Sequence, residues 1–237
     1  MFDEITAYRI GLPVIDLLAG LFLDMDIEFH SPLPEGAKIL APNHPSTSDP
    51  GLILTLTSEP ISILIEDTLF KVPHFGRYLA NSGHIEVAAG KGRQAVDRAI
   101  DKLSQGGVIG VFPEGSISPL DGGFHRPRTG AVRIALESGA PIVPVGIALD
   151  RDRIKLVKTN VEGEEEVGTW YLRGPYAITV GDPLTFDGDI NDWDYVRDSS
   201  QHLMNRIAHL SYESALRMKK KYPIDVRHFL RRPLLAD

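Results

Sequence analysis

Hydrophobic residues are distributed along this chain in two patterns, which predict strands and helices in turn. Continuous apolar runs at 61–65, 108–112 and 142–149 are typical of strands buried on both faces. Between 92 and 104 the apolar residues recur at the i, i+3, i+4, i+7 spacing of an amphipathic helix. A Gly-Gly pair follows that segment directly and ends the helix, because glycine tolerates the left-handed backbone of a helix terminus.

Weaker patterns predict the remaining elements. Further strands are predicted at 37–41, 85–87, 170–173 and 176–180, and further helices at 51–57, 130–137 and 192–220. Strands that alternate with helices predict an α/β fold, with a mixed, largely parallel sheet flanked by helices. In such sheets the functional loops lie beyond the carboxyl ends of the strands. The polar loops 43–49 and 113–118 each follow a predicted strand, so we expect them to converge.

The first thirty residues carry a different pattern from the rest. Residues 10–23, IGLPVIDLLAGLFL, are strongly apolar and are interrupted only by Pro13, Asp16 and small residues. We therefore divide the chain into an apolar or amphipathic helical segment at 1–30 and an α/β domain at 31–237. The segment is either a helix that lies in the interface of a bilayer or a helix packed against the domain. It is shorter than the ~20 consecutive apolar residues of a membrane span, and its acidic start differs from a signal peptide.

Composition and charge narrow the range of partners. The 237 residues carry a formal charge of −7, which argues against nucleic acid as the main partner. There is no cysteine, so disulfides, a thiolate nucleophile and cysteine metal sites are excluded. The segment 217–232 is basic and has Tyr222, Phe229 and Leu230 between its charges. Such a segment suits an anionic membrane surface, although a solvated helix end has the same composition.

The stretch APNHPSTSDP at 41–50 places the first candidate chemistry in the loop after a strand. His44 can take a proton from a hydroxyl near neutral pH, and does so better when a carboxylate holds its other ring nitrogen. Asp49 reaches His44 only if the turn is tight, which Pro45 and Pro50 favour by fixing φ. The alternative is a plain turn, in which Asp49 caps a helix that has Pro50 at its first position.

The loop FPEGSIS at 112–118 places Glu114 and Gly115 directly after a second predicted strand. Gly115 permits a backbone N–H to approach a ligand closely. Glu114 can accept a hydrogen bond from a substrate hydroxyl or orient a donor. The Pro-Glu-Gly-Ser sequence also suits a simple turn at the end of a strand.

Four sequence blocks resemble the glycerolipid acyltransferase family, which includes 1-acylglycerol-3-phosphate acyltransferase. NHPSTSDP resembles the N-H-x4-D block of that family, and FPEGSIS resembles its F-P-E-G-T-R-S block. Between them, KVP, FG and GHI within 71–85 resemble the middle block, and APIVPV at 140–145 resembles the fourth. The four blocks follow one another in the order of the family.

This resemblance implies an O-acyltransferase that moves a fatty acyl group from acyl-CoA or acyl carrier protein to a hydroxyl. The acceptor it implies is 1-acylglycerol-3-phosphate or a related lyso-lipid, as in phospholipid biosynthesis. His44 is then the general base and Asp49 its partner, while Glu114, Gly115 and Ser116 fall in the acceptor site. The resemblance implies no bound cofactor and no metal ion.

The resemblance also implies a place for the protein in the cell and a site for the developing charge. It implies a peripheral or monotopic protein at the cytoplasmic face of a membrane, with the apolar N-terminal segment as its docking helix. The tetrahedral oxyanion of acyl transfer needs hydrogen-bond donors. We expect a backbone N–H near His44 or at Gly115 to supply one.

Two departures from the family pattern leave the acceptor open. Ile117 and Ala89 stand where the family has arginines, and arginine suits phosphate because it binds in a bidentate manner. Arg126 and Arg128 lie between the third block and the next predicted helix and can substitute for those arginines. The alternatives are an acceptor without a phosphate, a non-catalytic lipid-binding protein, and a metal-assisted hydrolase with ligands from the two polar loops.

Overall fold

The computed structural model of the chain describes residues 4–161 and 164–221. Its helices are α1 (Glu4–Phe22), α2 (Asp49–Leu52), α3 (Asp67–Phe70), α4 (Phe75–Asn81), α5 (Gly92–Ser104), α6 (Gly130–Ser138) and α7 (Trp193–Lys221). Its strands are β1 (Leu23–Phe29), β2 (Lys38–Pro42), β3 (Ile61–Glu66), β4 (Ile85–Val87), β5 (Val108–Gly110), β6 (Ile142–Leu149), β7 (Lys155–Val161), β8 (Glu164–Trp170) and β9 (Gly174–Val180). Short 3-10 helices follow α2 at Ile53–Leu56 and β6 at Arg151–Arg153.

Within the described residues, seven strands form one sheet in the order β1-β9-β6-β2-β5-β3-β4, and β7 and β8 form a separate hairpin. Strands β6, β2, β5, β3 and β4 run parallel, β9 is antiparallel to β6, and β1 is parallel to β9. The predicted α/β fold, a mixed and largely parallel sheet flanked by helices, is confirmed. Strands β2, β5 and β6 therefore end, and β1 and β9 begin, at one edge of the sheet, which we call the carboxyl edge.

Helices cover both faces of this sheet because its central strands are apolar on both faces. One face packs against α1, α2 and α4, and the other packs against α5, α6 and α7, as the neighbouring residues Leu40 and Ile39 illustrate. Helix α7 lies very close to β6 because Gly146 has no side chain. A Cβ atom at that position would stand 2.0 Å from the backbone nitrogen of Ser211.

Two expectations about local structure are wrong. The helical segment does not continue to residue 30, because residues 23–29 form β1 at the edge of the main sheet. The strand expected at 170–173 is displaced, since Trp170 ends β8 and the residues directly after it belong to no strand. The β7–β8 hairpin was not expected at all. Its residues Leu156 and Val167 are exposed, so they do not belong to the pattern of a buried strand.

Acidic residues at alternate positions of β1 tie this strand to the end of α7. Asp24 Oδ1 lies 2.8 Å from Lys221 Nζ, and Asp26 Oδ1 lies 3.2 Å from Arg217 Nε. Glu28 Oε2 lies 3.3 Å from Arg217 Nη1. The rest of the predicted basic segment, residues 222–232, lies outside the described residues.

Helix α1 packs against the domain through one face and exposes the other. Tyr8 and Ala19 are buried, and the side chain of Tyr78 in α4 lies directly over Gly11. The exposed face repeats at helical spacing and is apolar. It consists of Val14, Leu17, Leu18, Leu21 and Phe22. In the part of the chain that the structure describes, no helix is both long enough and apolar enough to cross a membrane.

Candidate active site

The loop after β2 is fixed to the neighbouring strand by Asn43. The Asn43 side chain donates from Nδ2 to the carbonyl oxygen of Ile147 at 3.0 Å and accepts at Oδ1 from the Ile147 N–H at 2.7 Å. This pair of bonds reproduces the pairing of a backbone peptide group. It therefore continues the β2–β6 ladder past Pro42, which lacks an N–H. Asn43 is completely buried, and the residue after it is His44.

His44 and Asp49 are in hydrogen-bond contact, as their spacing suggested. The Nδ1 atom of His44 lies 3.1 Å from Asp49 Oδ2. A carboxylate only accepts, so Nδ1 carries a proton, and in the neutral imidazole the lone pair is then on Nε2. The ring also stacks on Phe112, with centroids 4.2 Å apart, so its plane is held from a second side. This geometry suits an imidazole that takes a proton at Nε2.

Asp49 is oriented by hydrogen bonds rather than by a role as helix cap. The expectation that it caps the helix is wrong, because α2 begins at Asp49 and its N-cap is Ser48. The carboxylate is 0% exposed. Its Oδ2 also accepts from the Ser46 N–H at 2.7 Å, while Oδ1 accepts from the Ser46 hydroxyl and from the Tyr176 hydroxyl, both at 2.7 Å. These donors leave the carboxylate little freedom to turn away from His44.

Glu114 lies beneath the two polar loops, where it joins them. It is only 2% exposed. Its Oε1 accepts from the His44 N–H at 3.0 Å and from the Ser118 hydroxyl at 2.6 Å, and its Oε2 accepts from the His125 N–H at 2.8 Å. In return, the Ser118 N–H donates to the carbonyl oxygen of His44 at 2.7 Å. The geometry therefore favours a carboxylate that clamps the loops over one that contacts the acceptor.

Replacing Glu114 by alanine is expected to lower the free energy of unfolding by about 2–4 kcal/mol, since it leaves two backbone N–H groups without their acceptor. Glu114→Gln should cost less, because its amide oxygen still accepts from His44. Urea denaturation measures both, with the exposed Glu86→Ala in β4 as the control. If Glu114→Ala unfolds at the same urea concentration as the wild type, Glu114 does not clamp the loops. The contact with the acceptor expected from the sequence is then the better interpretation.

The remaining predicted site residues lie on the outer side of the same loop. Gly115 and Ser116 are exposed, and so are Arg126 and Arg128. Gly115 has φ +65°, and a Cβ atom there would stand 2.3 Å from the Nε atom of Arg128, whose side chain lies over this glycine. Arg128 is thus brought to the loop.

The expected oxyanion donors are occupied by internal acceptors. The Gly115 N–H donates to the carbonyl oxygen of Phe112 at 3.0 Å, and the His44 N–H donates to Glu114. Farther along the first loop, the Thr47 N–H donates to the carbonyl oxygen of Thr169 at 2.8 Å. The β7–β8 hairpin therefore holds the same loop that carries His44.

Arg151 is a cation close to the carboxylates of Glu114 and Asp49, and it was not predicted from the sequence. Arg151 follows β6 after one intervening residue and donates from Nη1 to the carbonyl oxygen of Pro119 at 2.7 Å. Burial lowers the pKa of its guanidinium, while the nearby carboxylates of Glu114, Asp49 and Asp121 raise it. Its position just past a third strand that ends at the carboxyl edge was the signal available in the sequence.

The arrangement can hold and move a proton, and it has no visible place for a metal ion. Among the side chains that the structure describes, no three His, Asp or Glu residues are grouped so that they could bind one. Asp49 and Glu114 both direct their oxygens at internal hydrogen-bond donors. The geometry therefore favours acid–base chemistry at His44 over the metal-assisted alternative.

Two of three comparisons with known proteins found a match. The sequence pattern of the protein family described as Acyltransferase matches residues 25–148, which is just over half of the chain. No curated protein sequence matches the chain significantly. Among solved structures, the chain is similar to the crystal structure of the 1-acyl-sn-glycerophosphate (LPA) acyltransferase PlsC from Thermotoga maritima. That match has 20% sequence identity and a TM-score of 0.59, and covers 89% of this chain and 78% of the other.

Proposed function

The chain belongs to the acyltransferase family, and from this premise we propose that it transfers a fatty acyl group from a thioester to a hydroxyl of a lyso-glycerolipid. The observation that carries the proposal is the contact between His44 Nδ1 and the buried carboxylate of Asp49 at 3.1 Å. It leaves Nε2 as a base at the carboxyl edge of the sheet, where parallel α/β folds place their chemistry.

The proposed reaction uses that geometry. Nε2 of His44 takes the proton of the acceptor hydroxyl while the hydroxyl oxygen attacks the thioester carbonyl carbon. Asp49 stabilises the imidazolium that forms. The tetrahedral intermediate collapses by breaking the C–S bond, and the imidazolium returns its proton to the departing sulfur. The products are an ester and a free thiol, and no acyl-enzyme is formed.

Both co-substrates belong to the proposal. The donor is acyl-CoA or acyl carrier protein, and the acceptor is 1-acylglycerol-3-phosphate or a related lyso-lipid. The similar Thermotoga maritima protein is an LPA acyltransferase by its title. Arg128 supports a phosphate-bearing acceptor here, because it is exposed and lies over the loop that holds Gly115.

An acceptor without a phosphate is the second candidate. It is favoured by Ile117 and Ala89, which supply no cation, and by the partly buried position of Ile117. Arg126 stays an expectation of the sequence, as an exposed cation farther along the same loop.

We also propose that the exposed face of α1 docks the protein on a membrane surface. Helix α1 runs directly into β1, and β1 begins beside Gly174 at the start of β9. The end of α1 is therefore at the carboxyl edge, on the same side of the molecule as His44. An apolar face at that place supports a site that opens toward the bilayer, where lyso-lipids reside.

Leu21→Glu is expected to weaken binding to phospholipid vesicles at least about tenfold, because a leucine buried on docking contributes roughly 1.5–3 kcal/mol. Leu21 is 66% exposed. Leu216→Glu is the matched control, since this leucine is 37% exposed but belongs to α7 in the opposite layer. Sedimentation with vesicles measures both. Equal binding of the two variants would mean that the membrane contact lies elsewhere.

The proposal as a whole is tested by thiol release from palmitoyl-CoA on vesicles by the purified protein. The acceptors would be glycerol-3-phosphate, 1-acylglycerol-3-phosphate and a phosphate-free lyso-lipid, with His44→Ala as the control. Release that requires both an acceptor and His44 supports the transferase and identifies its acceptor class. Vesicle binding without release, with palmitoyl carrier protein tried as the second donor, supports the non-catalytic lipid-binding alternative.

A further inference from the structure

Tyr176 occupies an unusual position behind the His44–Asp49 pair. It lies in β9, is 0% exposed, and donates its hydroxyl to Asp49 Oδ1 at 2.7 Å. It is outside residues 25–148, which the family pattern matches, and 127 positions from its partner in the chain. Asp49 thus touches His44 through one carboxylate oxygen and Tyr176 through the other.

The neighbouring residue Tyr171 shows what a purely structural tyrosine looks like in this region. Tyr171 is also buried, and its ring centroid lies 6.0 Å from that of Tyr176. Its hydroxyl donates to a backbone carbonyl, that of Pro175, at 2.7 Å. The two tyrosines therefore share burial, size and bond length, and they differ in whether the acceptor is a carboxylate that contacts His44.

We propose that Tyr176 is a positioning residue that acts through Asp49. Its hydroxyl donates to Oδ1 while Ser46 keeps the carboxylate in place, and this bond sets the proton affinity of the imidazole on Oδ2. Its consequence for catalysis rests on the proposed function, whereas its effect on the imidazole does not. Tyr176 itself reaches neither substrate nor the reacting atoms, because it is enclosed between the sheet and the layer of α1 and α2.

The direction of the effect follows from how a carboxylate shares its charge. A hydroxyl that donates to Oδ1 stabilises the negative charge there, so less of it is available to an imidazolium on Oδ2. Removing the Tyr176 hydroxyl should therefore raise the pKa of His44. Burial, and then Asp49, raise the pKa of Tyr176 well above its ordinary value, so the phenol stays protonated and keeps donating.

Other charged and titratable groups face His44 and Asp49, and the variants used in the test must leave these groups unchanged. Arg151, just past β6, interacts electrostatically with Asp49 and Glu114. Glu114, after β5, accepts from the His44 N–H. Tyr171 stands beside Tyr176. A tyrosine-to-phenylalanine change leaves Arg151 and Glu114 in place, which makes Tyr171→Phe the matched control for Tyr176→Phe.

The test is a titration of the His44 imidazole by NMR, with the resonance assigned from its absence in His44→Gln. Tyr176→Phe is expected to raise the imidazole pKa by about half a pH unit or more, as expected for a lost hydrogen bond of ordinary strength. Tyr171→Phe should leave it unchanged. No shift in Tyr176→Phe, or an equal shift in both variants, would overturn the proposal.

A second variant guards against a Tyr176→Phe protein that fails to fold. A fluorinated tyrosine placed at position 176 keeps nearly the same volume and is a stronger donor because its phenol is more acidic. It should move the His44 pKa downward, opposite to Tyr176→Phe, and a shift upward or none would contradict the proposal.

The rate of acyl transfer is measured as a function of pH in a separate experiment. If wild type transfers acyl groups, the acidic limb of its kcat profile should move to higher pH in Tyr176→Phe and stay in place in Tyr171→Phe. If wild type transfers none, the proposed function fails, yet the NMR titration still decides the role of Tyr176.

Discussion

Replacing His44 by alanine is expected to lower the rate of acyl transfer at least ~10²-fold, the lower range for removal of a general base. The alanine protein should still bind both substrates but has no group to take the acceptor proton. The fold should survive, because His44 is partly exposed and the bonds of Asn43 and Glu114 to the loop use other atoms. Thiol release measured with saturating donor and acceptor detects the loss.

The matched control is His202→Ala, which removes an exposed imidazole of α7 far from the carboxyl edge. Its rate should equal that of the wild type. A His44→Ala protein that is fully folded by circular dichroism and transfers at the wild-type rate would remove His44 from the mechanism.

Asp49→Asn is expected to lower the rate about 10²-fold at neutral pH. The asparagine side chain at position 49 can match the hydrogen-bonding groups around it in one orientation only. The Ser46 N–H at Oδ2 requires an oxygen there, so the amide nitrogen must take the place of Oδ1. The hydroxyls of Ser46 and Tyr176 can then turn and accept from it. His44 keeps its tautomer but loses the negative charge that stabilises its imidazolium.

This arrangement explains why the expected loss is smaller than the ~10⁴-fold of a serine protease triad in which the same change produces the wrong tautomer. The same arrangement also predicts the direction in which the pH profile moves. Losing the charge lowers the pKa of His44, so the acidic limb of the kcat profile should move to lower pH, opposite to Tyr176→Phe. A rate near that of the wild type, with an unmoved limb, would reduce Asp49 to a structural residue of the turn.

The strongest periodic patterns predicted their elements well. The amphipathic helix at 92–104 and the strand at 142–149 are found with those bounds. The helix buries one face and the strand buries both, and each arrangement has its own side-chain pattern, so the pattern alone determines the element. The predicted contact of His44 with Asp49 is also found, because it depends on a five-residue turn stiffened by proline.

Other features depend on partners distant in the chain and have no local signature. Tyr176 reaches Asp49 only through the pairing of β9 with β6, which no spacing in the sequence announces. Glu114 illustrates a second limit. A glutamate after a strand suits an outward contact and an inward clamp equally well, and its burial is decided by the loops that fold over it. Strand β1 was not predicted because acidic residues interrupt its apolar pattern. The basic partners of these acids lie in α7, almost two hundred residues later.

If the protein docks on a membrane as proposed above, the acidic residues of β1 have a further consequence. Confinement to two dimensions raises the local concentration of molecules, and an edge strand beside the docking helix would then be poised to pair with its copy in a neighbouring molecule. Asp24, Asp26 and Glu28 oppose this, because pairing of two such strands would set like charges against one another. We therefore expect the side chains that fasten the sheet to α7 to oppose polymerisation as well, and neutralising them should favour aggregation on vesicles before it favours unfolding.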